Sequence, residues 1–243
     1  MKREELHKNL RQEYTPGTEC GVARTKVAGY ENVWFVVPPP PPRDLPRGLP
    51  AAALVKANKV LNDLPTIDAA NELDRMCAYL FQRREAVQSS RMEGTWSTID
   101  DVLTPGELYD TKEGHSERAS VLGYAEGLAK EISNVQKKGI GSLDIPLVQR
   151  LHKAIISKDP SYRGKAGQIR ALGQDRSVVY IGGSGRKEDS IFNPPPPEHV
   201  AHCLKSTLDW VADEELRELG NAGMGPSLPI RLAIAHAHFE AVH

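Results

Sequence analysis

The chain has 243 residues, with 31 Lys and Arg against 32 Asp and Glu and a formal net charge of −1. That near-balance excludes a generic basic nucleic-acid binder and an acidic disordered tail. The 40% apolar and 26% charged content is that of a soluble globular protein long enough for one or two cored domains.

In chain order, Met1 to Lys8 alternates charge without an apolar stretch, so no signal peptide is expected. No run approaches the roughly 18 apolar residues that span a bilayer, and the expected compartment is the cytoplasm. Residues 1 to about 49 read as an irregular arm. Within it, Val33-Trp34-Phe35-Val36-Val37 is a short β-like run leading into Pro38 to Pro42. A proline block continues neither strand nor helix, and this one reads as an extended strap over the helices that follow.

From Ala51 the pattern becomes helical. Leu54, Ala57, Val60, Leu61 and Leu64 mark one face, and Pro65 stops it. A second helix from about Asp68 carries Leu73, Met76, Cys77, Leu80, Phe81 and Val87 at helical spacing, with Gly94 as its C-terminal stop. Cys77 and Cys203 lie among apolar neighbours and far apart, so both are expected as core residues rather than zinc ligands. Ser97, three residues before Asp100, is the expected cap of a short helix. Val121, Ala125, Leu128, Ile132 and Val135 form one stripe on a helix from about Ser116 to Lys137. Asp144 is placed to cap the next, with Pro146 in its first turn and Leu147, Leu151 and Ile155 inward.

Residues 158–193 are rich in Gly and basic side chains. Their one β-like run, Ser177 to Ile181 before Gly182-Gly183, predicts a hairpin in an otherwise helical chain. After Pro194 to Pro197, Glu198 to Leu219 reads as one helix with Val200, Cys203, Leu204, Leu208 and Val211 inward. The fold class is therefore an all-α bundle with one β-hairpin. The final helix, from about Pro229, is apolar on almost every side and should be central. His236, Glu240 and His243 share a face, but histidines in separate polar contacts are the preferred reading, and no metal site is assigned.

Three segments, in order, resemble the Fic family of protein adenylyltransferases. Ser89-Ser90-Arg91-Met92-Glu93-Gly94 looks like its inhibitory motif, (S/T)-x-x-x-E-(G/N). Ser177 to Gly183, with Phe192 and the four prolines, is similar to its flap hairpin and the turn after it. Ile234 to His243 looks like the helix entering the active-site motif H-x-F-x-(D/E)-G-N-G-R-x-x-R, with His243 as the motif histidine. Gly167 and Arg170 resemble the P-G-x-x-R before the flap, although Ala166 replaces the proline, and Arg170 is read as a structural anchor.

The resemblance implies a Fic-like fold in three parts: an arm at 1–34, an N-terminal helical region with the inhibitory helix at 35–110, and a Fic core at 111–243. It implies transfer of AMP from ATP, with Mg²⁺, to a Ser, Thr or Tyr hydroxyl of a protein substrate. His243 would act as general base, an effect typically worth about 10²- to 10⁴-fold. Val178, Val179, Tyr180, Ile181 and Gly182 would hold the target segment by strand addition. Glu93, supported by Ser89 and Gly94, would engage a motif arginine and so deny it to the nucleotide.

The chain stops at the motif histidine, so the expectation is a truncated form that is inactive alone. The alternative is a non-catalytic regulatory or protein-binding fragment that keeps the inhibitory helix and flap. Neither a nucleic acid nor a membrane is an expected partner, and self-association is left open.

Overall fold

The computed structural model describes residues 1–44, 51–66, 69–92, 97–103, 115–157, 162, 164–174 and 177–242. The chain forms two compact units, Met1–Asn62 with Ile169–His243, and Asp63–Gln168. The described residues are mostly helical and contain one two-stranded antiparallel sheet.

In the first unit, β1 (Gly21–Ala23) pairs with β2 (Phe35–Val37), Val22 facing Val36. All six strand residues are buried, which puts two short pieces of the expected irregular arm into a core. The sheet is thus made by the arm and not by 177–181. The β-like run at 33–37 found a partner in Gly21-Val22-Ala23, a segment too short to show an alternating pattern. A third chain segment extends this layer: Val36 N–H donates to Asn193 O at 2.9 Å, and Asn193 Nδ2 donates to Trp34 O at 2.7 Å.

The helices of this unit are α1 (Ala51–Asn62), α6 (Pro197–Ala212), α7 (Glu214–Asn221) and α8 (Leu228–Val242). Val200, Cys203, Leu204, Thr207 and Trp210 are the buried stripe of α6. The expected single helix over 198–219 breaks at Asp213, whose carboxylate accepts the Leu216 N–H at 2.8 Å and caps α7. A short carboxylate competes with the helical backbone in this way, and Arg43 holds it from the arm.

The proline strap lies on later helices than expected. Pro42 O accepts the Trp210 indole N–H at 3.1 Å, and Pro39 O accepts the His238 Nε2–H at 2.8 Å. Prolines donate no N–H, but their carbonyls stay free to accept, so the strap binds wherever buried donors face it. Nor is α8 buried all round. Ile230, Arg231, His238 and Val242 are inside, while Leu232 is 60% exposed.

The second unit contains α2 (Glu72–Met92), α3 (Ile99–Leu103), α4 (His115–Lys138) and α5 (Ile145–Ile156). Ala86, Val87, Val102, Val121 and Ala125 form its core, with Leu122 and Tyr124 against it. Gly127 brings α4 close to α5, since a Cβ there would stand 2.5 Å from that of Ala154. Glu131, buried on α4, receives two hydrogen bonds from Arg150 on α5, at 3.0 and 2.9 Å. Asp144 caps α5 through Leu147 N–H at 2.8 Å.

Two expectations for this unit are overturned. Thr98, not Ser97, caps α3: its hydroxyl accepts Asp101 N–H, and Asp101 accepts Thr98 N–H in return. The apolar stripe that opens α2 is exposed, with Leu73 at 61% and Phe81 at 65%, and Cys77 is exposed with it. Only Ala86 and Val87, toward the other end of α2, are buried. A periodic stripe shows that a face suits burial without specifying what covers it.

Candidate functional site

Of the Ser89–Gly94 string, Ser89 to Met92 are described and close α2. Ser89 is half-buried, and its hydroxyl donates to Glu85 Oε1, one turn back, at 2.8 Å. That donation uses the only proton of the hydroxyl and leaves its lone pairs able to accept. Two residues on, Arg91 Nε donates to Ser97 O at 3.1 Å and ties the helix end to the residue before the α3 cap. Glu93 and Gly94 lie outside the described residues, as does His243.

The flap belongs to the other unit, and its geometry differs from a paired hairpin. Ser177 is buried, and Val178, Val179 and Tyr180 are half-buried and join no ladder among the described residues. Pairing begins at Ile181, which bridges Phe192: Ile181 N–H donates to Phe192 O at 2.8 Å, and Phe192 N–H returns to Ile181 O at 3.2 Å. Gly182 and Gly183 turn the chain at φ of +76°, where an L side chain is strained. A Cβ on Gly183 would also stand 2.1 Å from Asp189 O. The turn therefore requires glycine, while Val178, Val179 and Tyr180 join no sheet among the described residues.

Below the flap stands Arg170. Its Nη1 donates to Ser177 O and to Pro195 O, each at 3.2 Å, and its Nη2 donates to Val242 O at 2.9 Å. Burial pushes the guanidinium down to about 10, still well above neutrality, and no carboxylate among the described residues offsets that burial. Gly167, three residues earlier, belongs to the second unit, where its N–H donates to His152 Nδ1 at 2.8 Å. The anchor reading of Arg170 rested on motif spacing, which gives no sign of its three acceptors, drawn from positions 177, 195 and 242.

On α8, His236 is exposed and His238 is buried. Thr207 Oγ1 lies 2.6 Å from His238 Nδ1. Because Nε2 donates to Pro39 O, the neutral ring accepts the Thr207 hydroxyl at Nδ1. Burial holds this imidazole below its ordinary value, favouring the neutral form. The two histidines thus stand in different surroundings, one exposed and one buried. No group of three His, Cys, Asp or Glu side chains able to hold a metal occurs among the described residues. No helix among them is long and apolar enough to cross a membrane.

Packed helices with one two-stranded antiparallel sheet define a mostly helical protein among the described residues. Residues 51–132, about a third of the chain, match the family model described as Fic/DOC family N-terminal. A comparison with curated proteins gives no match.

Proposed function

We propose that the chain carries the inhibitory helix, flap and motif histidine of a protein adenylyltransferase. The observation that supports this reading most directly is that the family match at 51–132 includes the whole Ser89–Gly94 motif.

In the proposed reaction a Ser, Thr or Tyr hydroxyl of the target attacks the α-phosphorus of ATP. His243 takes the hydroxyl proton as the new O–P bond forms, and pyrophosphate leaves with the electrons of the broken bond. An imidazole with an ordinary value near 6.5 suits that task at neutral pH, where a hydroxyl alone is a poor nucleophile. Val178, Val179 and Tyr180 offer a backbone that a target segment joins as a strand, gaining affinity without a sequence code.

Glu93 restrains the reaction by pairing with a motif arginine that the nucleotide also needs. Ser89, set by Glu85, supports that helix end. ATP and Mg²⁺ are the co-substrates. The carboxylate and phosphate-binding turn that hold them in the family follow the motif histidine, so the reading assigns them no residue within 1–243 and predicts no transfer by this chain alone. The partner is a protein substrate, and the proposed compartment is the cytoplasm.

The test compares residues 1–243 with the same chain joined after His243 to the remainder of a family active-site motif and its following helices. Labelled AMP from ATP should appear on protein with the joined form only, and His243→Ala should remove it. Label transferred by 1–243 alone would overturn the assignment of the nucleotide site. Its absence from the joined form, even with Glu93→Gly, would overturn adenylyl transfer.

A further inference from the structure

Arg170 is the one described side chain that joins the start of the flap, the turn that follows it and the last described turn of α8. Ser177 and Val242 are 3% and 2% exposed, and Pro195 is fully buried, so their carbonyls have little recourse to water. A guanidinium presents fixed, coplanar donors in several directions, and here those donors are shared among main-chain oxygens that no other single side chain connects. Among the described residues the flap has no ladder at 178–180 to hold its own start in place.

We propose that Arg170 is a positioning residue that fixes the start of the flap to the end of α8, so that displacement of one is transmitted to the other. This rests on the functional reading above in one respect: there the flap holds the target and α8 leads into the general base. Under that reading the clamp sets the distance between the target hydroxyl and the base without touching either. A target segment that settles on the flap then steadies the backbone entering residue 243.

Amide hydrogen exchange on the full chain tests the clamp with no requirement for AMP transfer. Gly183→Ala perturbs the flap turn directly, because its Cβ would meet Asp189 O. With Arg170 present, that substitution should speed exchange not only at Ile181 and Phe192 but also at 239–242. The expected rise at 239–242 is roughly tenfold, the scale of one lost charge-assisted hydrogen bond.

In the Arg170→Ala background the last turn of α8 should already exchange faster, and Gly183→Ala should add nothing there. Arg170→Lys, which keeps the charge but not the fork, should restore only part of the coupling. Exchange across 115–157 should stay unchanged in every variant and so exclude general unfolding. If Arg170→Ala proves unfolded, the single Gly183→Ala variant still decides: a response confined to the flap overturns the clamp. Equal coupling with and without Arg170 also overturns it. Coupling without AMP transfer by the joined protein would leave the clamp standing and remove the functional reading; the reverse pattern would do the opposite.

Discussion

Each unit is tied by an arginine, and the two ties work differently. In the second unit Arg150, about half exposed, makes a two-pronged contact with the buried Glu131 carboxylate and joins α4 to α5. The hydrogen bonds from Arg150 hold Glu131 below the usual carboxylate range. In the first unit Arg170 has no carboxylate and spends its donors on three carbonyls, and burial lowers rather than raises its proton affinity. The Arg150 tie depends on charge and meets solvent on its arginine side alone. The Arg170 tie depends on geometry, and losing it strands buried acceptors, which costs more than an exposed ion pair returns.

The largest expected effect follows from that difference. Arg170→Ala should destabilise its unit by about 3 kcal/mol, since buried carbonyls are left without donors. Arg150→Ala should cost about 2 kcal/mol, because the buried Glu131 carboxylate keeps Asn134 as a donor and can take up a proton. Denaturant midpoints resolved by exchange in each unit measure both, and equal losses would break the comparison. Lysine at the two positions sharpens it: a point charge should recover most of the Arg150 contribution and less than half of that of Arg170.

Acid should separate the units by window. Burial keeps His238 and His199 below the ordinary histidine value in the folded state, so the unfolded chain takes up those protons first. Their contribution is therefore present above about 6.5 and falls as pH drops below it. Glu131 has its folded value below the ordinary glutamate value, so its contribution persists through that range and is lost only at lower pH. Between pH 7.5 and 5.5 the first unit should lose midpoint stability while the second holds, and His238→Gln should flatten the slope of the first without abolishing it. The smallest effect belongs to the exposed Lys205–Asp209 pair on α6. Lys205→Ala should move stability by less than about 0.5 kcal/mol.

Local chemistry was legible where it was self-contained. The Asp144 cap follows from local spacing, and the structure has it. Of the 121–135 stripe, Val121 and Ala125 are buried and the rest half-buried; on α6, Val200, Cys203 and Leu204 are buried while Leu208 and Val211 are half-buried. What was hidden depends on residues distant in sequence. Three residues at 21–23 carry no periodicity, yet they pair with 35–37. The stripe at 73–81 had the right period and no coverage to go with it. Ser97 and Thr98 are equally good caps on paper, and the reciprocal bond with Asp101 selects Thr98. Arg170 was legible as an anchor, but the partners that make it more than one lie up to 72 residues away.

The inhibitory motif bears the central claim, and one ratio tests it: AMP incorporated by the joined protein carrying Glu93→Gly, divided by that of its unsubstituted parent. Release of an arginine from a carboxylate should raise the ratio at least about tenfold, the worth of a single charge-assisted contact. The rise should need His243. A ratio of one, with both proteins folded and binding ATP equally, would contradict the account.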